Sequence, residues 1–366
     1  MPPSFAYSRC ELRWKLAAAA VAATALSGCQ FLFPTPLDLE ADTRPSGAAH
    51  ALGDGFLPGE HLSTEITLDG VVAGVGELKV GARCTRPDGR LAVPVLTIGR
   101  SAGLVKMLSA STSEVFSLVD AETSLPIEGS WNLLIGEKRT IIEESYGESS
   151  FRFRQLREQP DKPRRTNFGE STVPIDGIPH DGHTSVGFLR HWHPEPGARG
   201  NIYAVYGRYI WRADLTFRGS EVVTTPLGEA PALRIDGVAT KLLGKQLRPS
   251  SLTPRRPFSL WVSDDERHIP LRVLVETPLA KVSIDVVGYD VDGVIAKAAP
   301  APCTDRVDEK VIAQGLAKKK KKEEDDDKSG AAAEPKDDAK AGSPAEDDDD
   351  KDEREDKENL EKLMKR

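Results

Sequence analysis

The 366-residue sequence lacks several short motifs by which common catalytic sites are recognised. It contains no H-E-x-x-H zinc motif, no phosphate-binding loop and no C-x-x-C pair. Metalloprotease, nucleotide-hydrolase and dithiol redox chemistry therefore have no support in the sequence. We accordingly predict a protein without catalytic activity that uses no cofactor.

Long apolar runs are also scarce. The run near the start of the chain, Leu16–Leu26, is about 11 residues long, whereas a membrane-spanning helix needs roughly 20. Arg9, Arg13 and Lys15 precede this run. A basic segment followed by a short apolar core is typical of a secretory signal peptide, which predicts export.

Four residues at the end of this run, Leu26, Ser27, Gly28 and Cys29, resemble a bacterial lipobox. In such signals the peptide is cut between the positions that are here Gly28 and Cys29, and the cysteine carries the lipids. The acyl chains then give a stable membrane anchor. Gln30 follows, and a residue other than Asp there favours the outer membrane, with the periplasmic face and the cell surface both open. An ordinary signal peptide with a coincidental cysteine is the alternative.

Composition divides the chain into five segments. The middle of the chain carries the apolar patterns of a folded domain, whereas the C-terminal part is dominated by charged residues that cannot bury enough apolar surface to fold. The predicted segments are a signal peptide (1–28), a lipidated N-terminus and tether (29–55), a β-sheet domain (56–298), a connector (299–316) and a disordered charged tail (317–366).

Most of the net charge of −8 belongs to this tail. From Lys318 onward the chain carries 14 Lys or Arg and 19 Asp or Glu. An exported chain without a dominant basic domain is not expected to bind nucleic acid. The tail is predicted either to be a solvated extension or to contact partner proteins or cell-wall polymers.

The four cysteines have different predicted fates. Cys10 is removed with the signal peptide and Cys29 is lipidated, which leaves Cys84 and Cys303. In an oxidising compartment two remaining cysteines commonly pair. We therefore predict a Cys84–Cys303 disulfide, with two free thiols as the alternative.

Alternation of apolar and polar residues is the main pattern in the middle of the chain. From Tyr209 to Phe217 the residues at odd positions are apolar, and those between them are mostly charged or polar. Similar alternation occurs at 62–68 and 282–286. Such segments predict antiparallel strands with one buried and one wet face. Only Ser101–Ala110 and Asp181–Trp192 have the caps and short apolar runs of helices.

Several segments occur in a recognisable order. They are PGEHLSTEITLDGVVAGVGELKV (58–80), VDAETSLP (119–126), DGHTSVGFLR (181–190), TTPLGEAPALRI (224–235) and WVSDDERHIPLRVLVETPLAKVSIDVV (261–287). This order resembles a bacterial envelope family called domain of unknown function 3108, over about residues 56–290. Asp181, Thr184, Leu189 and Arg190 have the spacing of that family's D-x-x-S…L-R segment. The chain departs from the family in a Pro/Gly-rich insert at 157–180 and at Gly187, where the family often has an aromatic residue.

The resemblance implies a mainly β fold. It would be a single curved, largely antiparallel sheet or open barrel with two short helices, similar to those of lipoprotein-sorting proteins. Sheets of this kind can hold an acyl chain on their concave face.

A cluster of histidines is the strongest candidate for metal chemistry. Imidazole is a common metal ligand, and four of the seven histidines lie close together in the sequence: His180, His183, His191 and His193. These pairs flank a predicted helix, however, and Asp181, its expected N-cap, is the acidic residue beside them. We therefore predict no metal site, with surface or capping roles for these histidines.

A basic segment follows Phe151 and Phe153, which are expected to face inward. Its candidate contacts for an anionic ligand are Arg152, Arg154, Arg157, Arg164 and Arg165. Arginine binds phosphate and carboxylate groups through two hydrogen bonds, so a lipid headgroup, lipopolysaccharide or a cell-wall polymer would suit this surface. A solvated strand face is the alternative.

Three functions remain open from the sequence. The first is a lipid-anchored envelope protein whose sheet binds a hydrophobic or amphiphilic ligand or supports envelope assembly. The second is a scaffold or interaction lipoprotein with a packed sheet, acting through its basic strand and charged tail. The third is a metal-dependent enzyme using the His180–His193 cluster. A sheet interior filled by Trp131, Trp211 and Trp261 would favour the second function over the first.

Overall fold

The computed structural model describes residues 55–330, apart from 175–176, 244–246, 251–254, 278–279 and 305. For residues 108 and 323–330 it describes the backbone alone. The predicted cleavage and lipidation site at Gly28 and Cys29, and residues 331–366 of the predicted tail, lie outside the described residues. No helix in the described part of the chain is long and apolar enough to cross a membrane.

Eighteen strands form one sheet in the described residues. The first nine are β1 (Glu60–Leu68), β2 (Val71–Val80), β3 (Cys84–Thr85), β4 (Leu91–Ser101), β5 (Ser111–Asp120), β6 (Pro126–Ile135), β7 (Lys138–Tyr146), β8 (Ser150–Gln159) and β9 (Lys162–Thr172). The other nine are β10 (Pro179–His180), β11 (Arg199–Tyr206), β12 (Tyr209–Thr225), β13 (Gly228–Leu243), β14 (Arg248–Pro249), β15 (Arg256–Ser263), β16 (Pro270–Glu276), β17 (Lys281–Val291) and β18 (Ala301–Pro302).

The long strands form two antiparallel meanders that meet at β1. One continues from β1 through β2, β4, β5, β6, β7 and β8 to β9. The other continues from β1 through β17, β16, β15, β13 and β12 to β11. The short strands β10 and β18 pair in parallel with β11 and β3. Strand β1 therefore lies between β2 and β17.

The two ends of the sheet meet by side-chain packing. Phe151 and Phe153 of β8 share a buried apolar cluster with Val205 of β11, Ile210 of β12 and Leu242 of β13. The edge strands β9 and β10 do not pair with each other in the described residues, so the sheet is open. The predicted fold, a curved and largely antiparallel sheet resembling an open barrel, is confirmed.

Burial follows the predicted alternation. In β12 the residues at odd positions from Tyr209 to Phe217 are all buried, whereas Arg212 and Arg218 are exposed. Phe153 of β8 is likewise buried and Arg152 beside it exposed. A strand with one buried face is stabilised mainly by the apolar surface that this face removes from water.

Four helices accompany the sheet in the described residues. The helices α1 (Gly103–Leu108) and α2 (Gly182–His191) lie inside the two segments predicted to be helical. Asp181 caps α2, since its carboxylate accepts the Thr184 N–H at 2.7 Å while Thr184 Oγ1 accepts the Asp181 N–H at 2.9 Å. The helices α3 (Gly293–Ala296) and α4 (Glu309–Gly330) were not anticipated.

The C-terminal part of the fold is tied to its beginning. Cys303 forms a disulfide with Cys84, the pair for which the sequence predicts a bridge. Beside it, β18 pairs with β3. Residues 299–316, predicted to be a connector, therefore belong to the folded unit.

Helix α4 docks on β9, which lies within the predicted insert at 157–180. Val307, Ile312 and Leu316 form a small buried cluster with Phe168 of β9. The helix continues over residues 317–330, which the sequence assigned to a disordered tail because of their charge. The apolar residues that hold the helix on β9 precede the charged segment. The composition of the charged segment alone therefore does not predict the helix.

Candidate functional site

Helix α2 fills the concave side of the sheet. Phe188, Leu189 and the adjacent Trp192 share a buried core with residues of β11, β12, β13 and β15. The other side of the helix reaches β4 and β5 through His183. Because it contacts strands of both meanders, α2 lies inside the curve, where the resemblance placed an acyl chain.

Arg190 fixes the C-terminal end of α2. Its Nη1 and Nη2 donate to Oε2 and Oε1 of Glu60 on β1, each at 2.8 Å, and both side chains are buried. The same guanidinium donates to the carbonyl oxygens of Gly55, Arg267 and His268 at 2.9–3.1 Å. A buried charge with this many partners holds the helix against β1 and the β15–β16 turn.

The N-terminal segment packs on the same helix. Phe56 is buried, and a Cβ added at Gly187 of α2 would lie 3.0 Å from its Cε2 atom. The Phe56 ring therefore occupies the space that a side chain at position 187 would need. A larger side chain at position 187 would therefore require Phe56 to move.

The three tryptophans expected in the interior are all buried. Trp131 packs edge-on against Tyr206, with ring centroids 4.3 Å apart. The Arg256 guanidinium lies 4.8 Å from the Trp211 ring, and Trp261 donates a hydrogen bond to Glu221 at 2.6 Å. Trp261 belongs to a different cluster from α2, whereas Trp211 lies on the same face of β12 as Ala213 and Leu215, which pack against the helix.

His180 and His183 are buried at the start of α2. His183 Nδ1 lies 2.6 Å from Ser117 Oγ and its Nε2 lies 2.8 Å from Thr97 Oγ1. Burial lowers the pKa of His183, and it lowers the pKa of His180 to about 4 against the opposing effect of the Asp181 charge. Both imidazoles are therefore neutral side chains of the core at physiological pH.

His191 and His193 lie at the other end of α2, where the structure adds a partner that the sequence did not indicate. His268 of the β15–β16 turn packs on His193, with ring centroids 4.0 Å apart. The ring centroid of His191 lies 6.3 Å from that of His268. Burial, followed by the neighbouring His268 and His191, lowers the pKa of His193. No group of three or more His, Cys, Asp or Glu side chains in the described part of the chain has an arrangement that could hold a metal ion.

Glu144 of β7 is a buried carboxyl that the sequence did not single out. Its Oε2 accepts a 2.7 Å hydrogen bond from the Tyr146 hydroxyl. Burial, together with the nearby Asp181 charge, raises the pKa of Glu144 to about 8, although hydrogen bonds from Tyr146 and Trp131 lower it. Among the described residues, Glu144 Oε1 and Asp181 Oδ2 have no hydrogen-bond partner. Glu144 is thus mainly protonated at neutral pH.

The five candidate arginines are not equivalent. Arg152 pairs with Glu170 at 2.9 Å, Arg154 with Glu143 at 2.6 Å and Arg164 with Glu158 at 3.5 Å. Arg157 and Arg165 face each other across β8 and β9. In the described residues these two make no ion pair, so the predicted anionic site is reduced to them.

The residues from Gly99 to Gly103 form a G-x-S-x-G motif. In hydrolases such a serine stands on a strained turn between a strand and a helix, beside a histidine. Here Ser101 is buried and its Oγ accepts the N–H of Ser111 at 2.9 Å. No histidine in the described residues bonds to it, and its backbone is not in the positive-φ region. Ser101 joins β4 to β5 and does not have the surroundings of a nucleophile.

Comparison with solved structures gives only distant likenesses. A β-barrel-like protein of domain of unknown function DUF1849 from Brucella abortus aligns with 65% of this chain and 98% of its own, at 8% identity and a TM-score of 0.39. A putative exported protein with a YmcC-like fold from Bacteroides fragilis covers 64% and 96% at 8% identity, with a TM-score of 0.28. A putative lipoprotein from Parabacteroides distasonis covers 64% and 95% at 9% identity, with a TM-score of 0.27.

Sequence comparison is more specific. Among curated proteins none matches the chain. Residues 63–287 match the family described as "Protein of unknown function (DUF3108)". This segment is more than half of the chain and contains β1 to β17 almost completely. The chain therefore belongs to the DUF3108 family.

Proposed function

We propose that this protein is a lipid-anchored scaffold of the bacterial envelope, which acts through protein contacts and has no catalytic activity. The observation that carries the proposal is the position of α2, whose Phe188 and Leu189 occupy the concave side of the sheet. A protein that stored an acyl chain there would need that space.

The attachment of α2 argues further against a stored ligand. To admit an acyl chain, α2 would have to leave the sheet. This would separate Arg190 Nη1 from Glu60 Oε2, which lie 2.8 Å apart in a buried site. Removing one partner of such a pair costs about 3–5 kcal/mol. An apolar ligand would have to offset this loss as well as the buried surface of Phe188, Leu189 and Trp192.

The buried groups also argue against an enzyme. His183 of α2 lies near two hydroxyl groups, those of Ser117 and Thr97, but His183 and Ser117 are buried and Thr97 is half-buried. The Ser101 hydroxyl is engaged by the backbone of Ser111. Because His183 belongs to α2, displacing the helix would carry it away from the hydroxyl groups of Ser117 and Thr97.

The envelope location and the anchor rest on the sequence. The lipobox at Leu26–Cys29 and the following Gln30 favour attachment to the outer membrane. The test compares lipid labelling of the full chain with that of Cys29→Ser and of Cys10→Ser, the other cysteine of the signal region. We expect Cys29→Ser alone to lose both the lipid label and membrane retention.

The scaffold role is tested by asking whether the mature Cys29→Ser chain carries a lipid. After native purification, the bound small molecules are extracted and identified by mass spectrometry, and the protein is titrated with a dansyl-labelled fatty acid. We expect no stoichiometric lipid and no saturable fluorescence change. A bound acyl chain at one equivalent would overturn the scaffold function.

A further inference from the structure

The segment that follows β17 is exposed although it is almost entirely apolar. Residues 293–302, which we call the α3 corner, comprise α3, the link after it and β18, and Lys297 is their only charged residue. Every residue of the α3 corner is exposed except the half-buried Ile295, and Val294 is 81% exposed. An apolar surface segment of this length on a folded domain indicates an interaction site.

The fold holds the α3 corner in place at both ends. At its start the Asp292 N–H donates to the Gly59 carbonyl oxygen at 2.9 Å, and the Asp292 carboxylate accepts the Val294 N–H at 2.8 Å. At its end, Cys303 follows β18 and is joined to Cys84 by the disulfide. The apolar segment is therefore presented at a fixed position relative to the sheet.

The N-terminal segment enters the fold beside the α3 corner. A Cβ added at Gly59 would lie 3.2 Å from the backbone nitrogen of Ala296 in α3. The predicted lipidation site, Cys29, is 30 residues before Gly59, and at roughly 3.3 Å for each residue a chain of this length spans about 100 Å at most. The lipid anchor therefore keeps this corner within reach of the membrane and raises its effective concentration there.

Shape and charge at the α3 corner favour a lipid surface. Val294 protrudes from a helix of four residues, which suits shallow insertion into a fluid surface. The ammonium group of Lys297 makes no hydrogen bond or ion pair with the described residues. The acidic residues that precede the corner have partners, since Asp292 caps α3 and Asp290 lies 3.5 Å from His61 Nδ1. An apolar tip beside an unpaired lysine is typical of a segment that binds at a membrane interface.

We propose that the α3 corner docks on the bilayer that holds the lipid anchor, with Val294 at the boundary between headgroups and acyl chains and Lys297 on an anionic headgroup. The inference rests on the proposed lipid anchor and specifies which end of the domain faces the membrane. Helix α1 lies at the other end, because it follows the end of β4, which runs beside the β1–β2 turn, whereas the α3 corner lies beside the start of β1.

The test uses the lipidated chain in vesicles of phosphatidylcholine and phosphatidylglycerol. Because Cys29 carries the lipids and Cys84 and Cys303 are bridged, Val294→Cys supplies a single thiol for the environment-sensitive fluorophore NBD. Interfacial segments enter the bilayer by only about 5–10 Å. We therefore expect a blue-shifted emission that is quenched more by a nitroxide near the lipid headgroup than by one near the end of the acyl chain.

The matched probe is NBD on Met107→Cys. Met107 of α1 is 82% exposed, as Val294 nearly is, but lies at the opposite end of the domain. The same lipid anchor holds both labelled chains on the vesicle. We expect the Met107 probe to keep the emission of a water-exposed label and to show no quenching by either nitroxide lipid.

A charge reversal tests the role of Lys297. In the chain labelled at position 294, Lys297→Glu should lower the ratio of docked to undocked protein about tenfold on these vesicles, because a basic residue near an anionic membrane is attracted and an acidic one repelled. The matched control is Lys281→Glu, which reverses an exposed lysine at the opposite end of the domain and should leave the ratio unchanged.

Equal quenching of the two probes, an unquenched Val294 probe or no effect of Lys297→Glu would each overturn the proposal. A blue shift of the Val294 probe in the unlipidated Cys29→Ser chain without vesicles would also overturn it, since another part of the chain would then cover the corner. The anchor itself fails only if the parent chain takes up no lipid label, so the two proposals can fail separately.

Discussion

Arg190 of α2 and Glu60 of β1 form a two-point ion pair inside the sheet, with both N–O distances at 2.8 Å. Truncating one partner leaves the other charge buried without compensation. We predict that Arg190→Ala lowers the free energy of unfolding by about 3–5 kcal/mol. Urea unfolding followed by tryptophan fluorescence measures the change.

The matched surface pair gives the control for this prediction. Arg152 and Glu170 are 2.9 Å apart but more exposed, so Arg152→Ala should change stability by about 1 kcal/mol or less. The double variant Glu60→Leu/Arg190→Met leaves no buried charge at this site. Its free energy of unfolding should therefore be higher than that of Arg190→Ala. Equal effects of Arg190→Ala and Arg152→Ala would show that burial of the pair does not matter.

The disulfide predicts a second stability change. Cys84 and Cys303 are 219 residues apart in sequence, so the bridge closes most of the folded chain into one loop. Replacing both by serine should lower the free energy of unfolding by about 2–5 kcal/mol. Hydrogen exchange should show the largest loss of protection in β18 and the start of α4. If reductant leaves the unfolding midpoint of the parent protein unchanged, the bridge contributes no stability.

Glu144 predicts a pH dependence in the neutral range. The pKa of Glu144 is raised to about 8 by burial, so the folded protein holds a proton that the unfolded chain releases near its ordinary pKa of 4.5. The contribution of this group to stability is full below pH 4.5 and decreases as the pH rises towards 8. Relative to the parent, Glu144→Gln should therefore gain stability between pH 4.5 and 8, as measured by urea unfolding at several pH values.

Glu170 is the control for Glu144. The hydrogen bond from Arg152 lowers the pKa of Glu170, so its contribution is present above its ordinary pKa and lost as the pH falls. Glu170→Gln should not gain stability between pH 4.5 and 8. A common pH profile for the two variants would contradict the assignment of the neutral-range effect to Glu144.

His180 predicts the opposite pH dependence on the acid side. Burial lowers the pKa of His180 to about 4, whereas the unfolded chain takes up a proton near pH 6.5. Stability from this group should fall as the pH decreases from 6.5 to 4 and then stay constant. His180→Asn should flatten this part of the profile. An NMR titration of the parent imidazole with a midpoint near 6.5 would contradict the prediction.

Phe56 and Gly187 are far apart in sequence but in contact in the fold. We therefore predict that substitutions at these two positions have coupled effects on stability. Gly187→Phe should clash with the Phe56 ring, and Phe56→Ala should leave a cavity, which costs about 3–5 kcal/mol. In the double variant Phe56→Ala/Gly187→Phe, the new ring takes the vacated space. A double-mutant cycle should give a favourable coupling, and additive effects would contradict the contact.

Local features of this fold were predictable from the sequence. The alternation of β12 and the Asp181 cap of α2 depend on residues close in sequence, and both were predicted. The burial of Phe151 and Phe153 followed from the same alternation. Each of these features depends on the local sequence, so it can be predicted without knowing which distant residues the element contacts.

Distant relationships were not predictable. Arg190 lies in a family-like segment, but nothing local shows that its partner is Glu60, 130 residues earlier. His268 joins His193 only because the β15–β16 turn folds over the end of α2. The sequence pattern of α2 predicts a helix but does not show where that helix packs, so it could not predict that α2 occupies the concave side.

The position of β1 has a consequence for how the chain reaches its folded state. Along one side this strand pairs with β2, which follows it directly, and along the other with β17, about 220 residues later. The chain must therefore complete β17 before β1 acquires its second neighbour. Until then β1 has an open edge and the sheet consists of separate parts. Closure of such a long-range pair is slow, so β1 gains its second neighbour late, whereas the neighbouring strands from β4 to β9 can pair with one another without β17.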